Sequence, residues 1–312
     1  MSAQGILDRT GTDLHKPANE RRPQLLELDK ATFASKFNRE PFTIRHHLAD
    51  HPLFALPRLI ELARRLPAEH VSYNSGEVPV TTGLYKGPQT GLSVEETIRQ
   101  IEQCRSWMVL KFVEGDPEYR RLLDDCLDEI KPMSEPVAPG MQKRQGFIFI
   151  SSASSVTPYH MDPEYNFLLQ VRGSKRITIW NPADRSVLSE KELEDYYSER
   201  EFQIAFKEEY IAKAEKFTLA PGLGLHFPVT APHFVENGDE VSISFSITFQ
   251  TPASERRRFL YGANARLREL GFKPLSVGQS PLRDSIKRIA FRAVRVAKSL
   301  LTGSRAKPAE RY

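Results

Sequence analysis

Hydrophobic and polar residues between positions 24 and 130 follow strand-like and helical patterns in turn. The predicted elements are strands at residues 40–45 and 107–113 and helices at residues 56–66, 93–104 and 117–130. Pro57 is tolerated in the first turn of the helix at 56–66. Ser93 and Glu96 have the S-x-x-E spacing of a capping box, which marks the start of the next helix. This part of the chain is therefore expected to be an α/β portion.

The pattern changes after the segment at residues 131–140, which contains Pro and Gly. Six short strands are predicted, at residues 146–152, 165–173, 175–182, 216–222, 224–229 and 240–250. Glycine or proline separates several of them. A charged, helical-looking insertion at residues 185–216 interrupts the series, and its Ser189 and Glu192 again have capping-box spacing. Short, mostly antiparallel strands at this spacing favour a double-sheet barrel of the jelly-roll or cupin type.

These patterns predict a mainly β fold with α additions, in which a double-stranded β-helix follows an N-terminal α/β portion and precedes C-terminal helices. The expected divisions are a mobile leader at 1–23, one domain at 24–252 with its barrel core at about 146–250, and a helical extension at 253–312. The composition agrees, because 40% hydrophobic and 27% charged residues exclude a wholly disordered chain. A chain of 312 residues can also bury a sizeable core.

Cysteine content and the N-terminal pattern bear on the cellular location. Cys104 and Cys126 are too few for a disulfide framework or a cysteine-rich zinc module. The N-terminal segment has no apolar core of signal-peptide length, and no run of about 18 apolar residues occurs. We therefore expect a cytoplasmic protein that is neither secreted nor membrane-spanning.

Positive charge is concentrated at the C-terminal end. Residues 284–312 contain eight basic and two acidic residues, although the whole chain has a formal net charge of only +4. The basic overall composition therefore does not by itself indicate nucleic-acid binding. The helix predicted at 285–301 has an apolar stripe flanked by Lys and Arg. We expect the stripe to pack on the barrel or on the same helix of a second chain, as in a homodimer. An anionic membrane surface or a nucleic-acid backbone is the other alternative.

Candidate chemistry lies in the segment TPYHMD at residues 157–162. In an extended segment, residues two apart point to the same side, so His160 and Asp162 can approach one metal ion together. His233, in the loop before a later strand, would complete a set of two imidazoles and one carboxylate. Such a facial set leaves coordination positions open, which suits non-haem Fe(II), whereas zinc more often takes a closed tetrahedral set. His226 is not expected to be a ligand.

An H-x-D pair alone is a weak signal, because ordinary surface or core histidines produce it by chance. Here Asn166, Gly173 and Lys175 follow at spacings that suit a barrel site. The segment HMDPEYNFLLQVRGSKRITIWNP at residues 160–182 resembles the JmjC/cupin-like family of Fe(II)- and 2-oxoglutarate-dependent oxygenases, particularly its asparaginyl-hydroxylase-like branch. The resemblance extends over about residues 38–250.

By that resemblance, the catalytic iron ligands are His160, Asp162 and His233, and the residues that bind the co-substrate 2-oxoglutarate are Lys175, Thr157, Asn166 and Ser246. Lys175 would pair with the distal carboxylate, because a dicarboxylate in a partly apolar barrel needs a fixed positive charge to offset its desolvation. Thr157 would offer a hydroxyl to the same carboxylate. Asn166 would lie near the metal-bound end of the co-substrate, and the role of Ser246 is less defined.

Structural alternatives exist for three of these co-substrate residues. Lys175 follows a Gly-Ser turn and could be a surface lysine, Asn166 could be a turn amide, and Thr157 could be an ordinary strand residue. An inward Lys175 is favoured because it begins a strand in which Ile177 and Ile179 occupy the same parity.

The resemblance implies a dioxygenase that uses 2-oxoglutarate and dioxygen to hydroxylate a protein or peptide side chain or a small metabolite. Two other classes stay open: a non-catalytic cupin-like binding or regulatory protein, and a Zn- or Mn-dependent cupin isomerase or lyase. The sequence identifies no primary substrate and does not separate hydroxylation from demethylation.

Overall fold

Two sheets form the centre of the molecule. The computed structural model describes residues 23–84, 86–198 and 203–302. The strands in these ranges are β1 (Leu26–Glu27), β2 (Phe42–His46), β3 (Val71–Ser75), β4 (Ser106–Lys111), β5 (Gln142–Ser151), β6 (Val156–His160), β7 (Tyr165–Arg172), β8 (Lys175–Ile179), β9 (Glu215–Leu219), β10 (Leu223–Phe227), β11 (His233–Asn237) and β12 (Ser242–Gln250). The helices are α1 (Lys30–Lys36), α2 (Leu56–Arg65), α3 (Val94–Arg99), α4 (Pro117–Ser134), α5 (Glu190–Tyr197), α6 (Pro252–Glu269) and α7 (Pro281–Thr302).

Every pair of neighbouring strands is antiparallel. The larger sheet has the order β1-β2-β10-β7-β12-β5-β4-β3, and the smaller sheet has the order β6-β11-β8-β9. The N-terminal strands β1 to β4 lie at the two edges of the larger sheet, so the α/β portion contributes directly to this sheet. The predicted double-sheet, jelly-roll architecture is confirmed.

Residues in β12 show how the larger sheet divides the molecule. Its apolar residues join the main core, which also contains apolar residues of α1 to α4; they are Ile243, Phe245, Ile247 and Phe249. The alternating polar residues are also buried; they are Ser244, Ser246 and Thr248. Since successive side chains of a strand point to opposite faces, these polar residues face the smaller sheet. Helices therefore cover the outer face of the larger sheet, and its inner face lines the barrel.

The insertion at residues 185–216 covers the outer face of the smaller sheet. Its apolar residues Val187, Leu188 and Leu193 belong to one buried cluster with Trp180. The indole Nε1 of Trp180 donates a hydrogen bond of 2.6 Å to the backbone carbonyl of Tyr210 in the same insertion. The helix predicted in the insertion is α5, and its capping box of Ser189 and Glu192 is present. Residues 199–202 lie outside the described part.

A tight turn at Gly173 connects β7 of the larger sheet to β8 of the smaller sheet. Gly173 has φ of +66°, and a Cβ there would lie 2.4 Å from the backbone oxygen of Val241. Only glycine fits this close approach without strain. Beyond the turn, Ile177 and Ile179 of β8 pack with Leu168 in the barrel interior. The turn therefore determines which side chains of β8 point into the barrel.

The predicted end of the helix at residues 93–104 is wrong, and the predicted leader at residues 1–23 lies almost wholly outside the described residues. The capping box of Ser93 and Glu96 is present, but α3 ends at Arg99 instead of continuing to Cys104. The chain must turn there to enter β4, and Arg105 adopts φ of 49° in that turn. The predicted leader lies outside the described residues except for residue 23, and residues 303–312 also lie outside them.

The C-terminal helix α7 differs from its expected packing. Ile286 is 57% exposed and Ile289 is 66% exposed, so this part of the apolar stripe does not pack on the barrel. Phe291, on another side of the helix, contacts the ring of Phe259 in α6. The barrel-packing alternative is therefore wrong for the stripe at 286–289, because α7 uses a different face toward the domain. Among the described helices, none combines the length and the apolar character needed to cross a membrane.

Candidate metal centre and its surroundings

One end of the barrel, which we call the mouth, brings together strand ends from both sheets. β6 ends at His160, β11 begins at His233, and these two residues are register partners. His233 also pairs with Ile179 at the end of β8. The prediction that His233 lies in a loop is therefore wrong, because this backbone pairing makes it the first residue of a strand. In the larger sheet, Asn166 and Thr248 are paired near the ends of β7 and β12.

His160, Asp162 and His233 form a compact cluster at the mouth, and their candidate ligand atoms all lie within 4.8 Å of one another. Nε2 of His160 is 3.9 Å from Oδ1 of Asp162. Nε2 of His233 is 3.8 Å from Oδ2 of the same carboxylate. His233 is buried, whereas 27% of the Asp162 side chain is exposed, so the cluster is open on one side.

Backbone carbonyls orient both imidazole rings of this cluster. Nδ1 of His160 donates to the carbonyl oxygen of Pro158 at 2.7 Å. Nδ1 of His233 donates to the carbonyl oxygen of Ala231 at 3.0 Å. Because a carbonyl oxygen only accepts, each Nδ1 carries a hydrogen, and Nε2 is the nitrogen of each ring that faces Asp162. Burial, and secondly the neighbouring His160, lower the pKa of His233 to about 4, so its ring is neutral at neutral pH. In both rings Nε2 is therefore the nitrogen that is available to a metal ion.

A β-bulge places Thr157 and His160 on the same face of β6. His160 pairs with His233 and Thr157 pairs with Val235, so three steps along β6 match two steps along β11. Without the extra residue, two residues three apart would point to opposite faces. Thr157 is buried and lies beside Val235, which belongs to the barrel interior. The predicted co-substrate residue therefore faces the same cavity as the histidine.

Asn166 and Ser246 form a hydrogen-bonded chain that ends on Asp162. The hydroxyl of Ser246 donates to Oδ1 of Asn166 at 2.8 Å. The amide Nδ2 of Asn166 donates to Oδ2 of Asp162 at 3.4 Å. Both Asn166 and Ser246 are buried. The two residues thus orient the carboxylate of the candidate ligand set, a contact that the sequence did not predict.

Lys175 is buried on the inner face of the smaller sheet, away from the mouth. It is 4% exposed, whereas its neighbour Arg176 points outward and pairs with Glu236. Lys175 lies four residues before Ile179, the residue that pairs with His233, and four steps correspond to about 13 Å along the strand. Burial lowers the pKa of Lys175 to about 7. The surface-lysine alternative is therefore wrong, and the side chain faces the interior.

His226 is excluded from the cluster by its own contacts. Nδ1 of His226 donates to the backbone oxygen of Asn166 at 2.9 Å, and Nε2 accepts from the backbone N–H of Asn38 at 3.1 Å. The ring stacks on Phe37 with a centroid distance of 4.7 Å. Burial lowers the pKa of His226 to about 3. Both nitrogens are thus occupied, and the ring lies on the helix-covered face of the larger sheet.

Thr230 and Tyr196, which the sequence analysis missed, hold the loop that carries Asp162. The backbone N–H of Thr230 donates to the backbone oxygen of Asp162 at 2.8 Å, and Thr230 adopts φ of 62°. The hydroxyl of Tyr196 in α5 donates to the backbone oxygen of Met161 at 2.9 Å. A β-branched residue with positive φ carries no recognisable sequence signal, because threonine rarely adopts this conformation.

The donor set fits a metal ion that keeps open coordination positions. Two neutral imidazole nitrogens and one carboxylate on one side of a cavity are typical of non-haem Fe(II) sites that bind further ligands on the other side. Each Nδ1 donates to a backbone carbonyl, and the Asn166 amide donates to the carboxylate, which is the outer support that such ligands normally have. The arrangement can therefore hold one metal ion and leave space for a co-substrate.

Comparison with known families agrees with this fold. A family described as "Cupin-like domain" matches residues 93–257, which is more than half of the chain. The chain belongs to this cupin-like family. The predicted family membership is thereby confirmed. The matched residues include the whole candidate metal centre and Lys175.

Similar proteins and structures cover different parts of this cupin-like chain. Lysine-specific demethylase 8 of Danio rerio is 30% identical over 101 residues, which are 30% of this chain and 24% of that protein. The Xenopus tropicalis protein of the same name is 32% identical over 105 residues, which are 31% and 23% of the two chains. The chain thus matches only about a quarter of these relatives' length. An X-ray structure of E. coli ycfD has a TM-score of 0.51 at 15% identity and covers 88% of this chain and 68% of that one, which supports the fold.

Proposed function

We propose that this cupin-like protein is an Fe(II)- and 2-oxoglutarate-dependent oxygenase of the hydroxylase type. The observation that carries the proposal is the combination of two features in one barrel. An open cluster of His160, Asp162 and His233 lies at the mouth, and the buried ammonium of Lys175 faces the same interior from deeper in the barrel.

His160, Asp162 and His233 would hold Fe(II) through two Nε2 atoms and one carboxylate oxygen. Their rings and carboxylate are already oriented by backbone carbonyls and by Asn166. Binding the ion therefore needs little rearrangement of the chain. It would also balance the negative charge of the Asp162 carboxylate.

Lys175 and Thr157 would hold the distal carboxylate of 2-oxoglutarate. No hydrogen bond or ion pair in the described part of the chain involves the Lys175 ammonium, and burial without a counter-charge is costly for a lysine. A bound carboxylate would supply that counter-charge. Asn166 and Ser246 would act mainly by fixing Asp162, with the Asn166 amide also near the inner end of the co-substrate.

When bound, Fe(II) and 2-oxoglutarate together supply dioxygen activation, with succinate and carbon dioxide as the products of the co-substrate. The chain orients the co-substrate through Lys175 and Thr157 and presents the target C–H bond at the mouth. Apolar residues of the barrel, including Ile177 and Val235, exclude water from the co-substrate. No side chain of the protein has to act as a general base.

The primary substrate is proposed to be a protein or peptide side chain or a small metabolite. The two vertebrate relatives are named as lysine-specific demethylases, but they share only a short segment with this chain. A cytoplasmic location and self-association through the exposed α7 stripe are further proposals, supported by the two free cysteines and by the exposure of Ile286 and Ile289.

Release of succinate from 2-oxoglutarate by the purified protein, with and without Fe(II), tests the proposed activity. We expect Fe(II)-dependent release that stops in His160→Ala. Absence of release by well-folded protein would favour a non-catalytic cupin. Zinc or manganese in the purified protein, together with no measurable affinity for 2-oxoglutarate, would favour an isomerase or lyase. Mass spectrometry of cell extracts treated with wild type or with His160→Ala would then identify the oxidised substrate.

A further inference from the structure

Exposed apolar side chains are concentrated in the C-terminal extension. Among the described residues eight large hydrophobic side chains are exposed, and six of them lie between residues 270 and 289. These six are Leu270, Phe272, Leu275, Leu282, Ile286 and Ile289. Soluble proteins rarely expose many apolar side chains close together unless the surface binds something. The segment at residues 270–289 is therefore a candidate binding surface.

Three of these residues form a stripe on α7 that points away from the domain. Leu282, Ile286 and Ile289 are spaced by four and then three positions, so they lie on one side of the helix. Phe291, which contacts Phe259 of α6, lies on about the opposite side. The helix therefore uses one side to pack on the domain and exposes its apolar stripe on the other.

Hydrogen bonds hold the first turns of α7 against the preceding loop and α6. Oδ2 of Asp284 accepts from the backbone N–H of Gly278 at 2.8 Å. The ammonium of Lys287 donates to the backbone oxygen of Leu275 at 3.3 Å. The side-chain amide of Asn264 in α6 donates to the same oxygen at 3.0 Å. The outward direction of the stripe is therefore set by contacts within the chain.

The same extension carries a large excess of positive charge. Residues 253–312 contain 15 basic and four acidic residues, whereas residues 1–252 contain 29 basic and 36 acidic residues. On α7, Arg283 and Arg288 lie on the two sides of the apolar stripe. The extension therefore combines an exposed apolar stripe with a surrounding positive charge that the rest of the chain does not have.

This combination favours an anionic lipid surface over two other occupants. A nucleic-acid backbone would neutralise the Lys and Arg side chains but would leave the Leu and Ile side chains in water. A second copy of the chain would cover the stripe, but it would bring two positively charged extensions together. An amphipathic helix in a bilayer surface buries its apolar side at the acyl boundary and places Lys and Arg at the headgroups. Of the three, only the lipid surface uses both features.

We propose that the C-terminal extension binds the surface of an anionic phospholipid bilayer, with α7 lying in the headgroup region. Leu282, Ile286 and Ile289 enter the acyl boundary, and Arg283 and Arg288 contact the headgroups. This binding does not depend on the proposed oxygenase function, because the candidate metal centre takes no part in it. Self-association, proposed above for the protein in solution, covers the same stripe, so a bilayer surface competes with it.

Sedimentation of the full chain with vesicles tests this proposal. Vesicles of phosphatidylcholine alone are compared with vesicles of equal parts of phosphatidylcholine and phosphatidylserine. We expect binding only to the vesicles that contain phosphatidylserine, and weaker binding at high salt, because salt screens the attraction between the charges.

Removal of the apolar stripe tests the contact with the acyl boundary. Ile286→Ser combined with Ile289→Ser should lower the affinity for the phosphatidylserine vesicles at least about tenfold, because two apolar side chains no longer leave water on binding. Both side chains are exposed, so circular dichroism should show an unchanged fold. Ile211→Ser, which removes an exposed isoleucine outside the extension, is the matched control and should bind as wild type does.

Removal of positive charge tests the contact with the headgroups. Arg283→Gln combined with Arg288→Gln should lower the affinity for the same vesicles by about fivefold for each charge removed. Lys216→Gln, which removes an exposed lysine from β9, is the control for this pair and should leave the affinity unchanged.

Two results would overturn the proposal. One is a wild type that does not sediment with the phosphatidylserine vesicles, and the other is a folded double serine variant that binds them as tightly as wild type. In either case, fluorescence anisotropy with a labelled RNA duplex tests a phosphate backbone as the occupant of α7. Light scattering on wild type and on the double serine variant tests a second copy of the chain, since loss of the stripe would then lower the mass in solution.

Discussion

The two faces of the larger sheet use the same strands for different purposes. On the outer face, Phe245 and Phe249 of β12 pack under helices, and substitutions there should change stability. On the inner face, Ser246 belongs to the hydrogen-bonded chain that runs through Asn166 to Asp162 of the candidate metal centre. Burial alone therefore does not separate structural residues from functional ones, whereas the face of the strand does.

Two buried histidines illustrate this contrast. His226 lies on the outer face, where Phe37 and two backbone groups surround its ring. His233 lies in the barrel interior, where one nitrogen is hydrogen-bonded and the other faces Asp162. Both rings have a pKa lowered by burial, so the lowered pKa does not distinguish them. The two rings differ at Nε2, which accepts a hydrogen bond from Asn38 in His226 and faces Asp162 in His233.

The largest expected effect is loss of Fe(II)-dependent turnover in His233→Ala. The variant loses one of three ligands, and the same result is expected for His160→Ala and Asp162→Ala. Circular dichroism should show little loss of fold, because the apolar core does not depend on these side chains.

His226→Ala is the matched control for these variants. It should keep metal binding, while its free energy of unfolding falls by about 2–4 kcal/mol, because a buried ring and its hydrogen bonds are lost. Full activity in any of the three ligand variants, or loss of metal from folded His226→Ala, would contradict the assignment.

The next largest effect is expected for Lys175→Ala. The distal carboxylate of 2-oxoglutarate would then be buried without its cation, which costs about 3 kcal/mol or more, or about a hundredfold in affinity. Calorimetry on metal-loaded protein measures this change, and metal affinity itself should survive. Lys175→Arg should restore binding only in part, because a planar guanidinium on a longer side chain does not replace an ammonium at the same point. Unaltered 2-oxoglutarate affinity in Lys175→Ala would refute the pairing.

The sequence predicted eight of the twelve described strands and the likeness of the site to a known family, because strand periodicity and motif spacing are local properties. It did not predict β1, β3, β6 or β11. It could not predict the bulge that brings Thr157 to the face of His160, since the bulge depends on pairing with β11. The contact of Asn166 with Asp162 and the positive φ of Thr230 likewise arise from tertiary structure. The stripe on α7 was visible as a pattern, but the face that contacts the domain was not.

Acidity should affect 2-oxoglutarate binding through Lys175. Burial lowers the pKa of Lys175 to about 7 from the usual 10.5, and the bound dicarboxylate needs the protonated form. Below pH 7 the lysine is already charged, so affinity should change little. Above pH 7 binding must take up a proton, so affinity should fall by up to about tenfold per pH unit.

Stability should show the opposite trend in the ligand-free protein. Between pH 7 and 10.5 the unfolded chain binds the proton of Lys175 more tightly than the folded chain, so the free energy of unfolding should rise with pH. Lys175→Met should lack this contribution.

The proton uptake that accompanies 2-oxoglutarate binding can be counted by calorimetry in buffers of different ionisation enthalpy. A count of zero protons at pH 8 would contradict a buried lysine that is neutral before 2-oxoglutarate binds.

The smallest expected effect comes from Ser246→Ala, compared with Ser244→Ala. Both hydroxyls lie on the inner face of β12, and each donates to a buried amide, that of Asn166 at 2.8 Å and that of Gln170 at 2.7 Å. Each substitution should lower the free energy of unfolding by about 1 kcal/mol. Only Ser246→Ala should weaken metal binding, by about tenfold, because only Asn166 continues to Asp162. If Ser246→Ala instead raises the KM for 2-oxoglutarate and leaves metal affinity unchanged, Asn166 acts on the co-substrate directly. Equal metal affinity and KM in both variants would show that the hydrogen-bonded chain supports the fold alone.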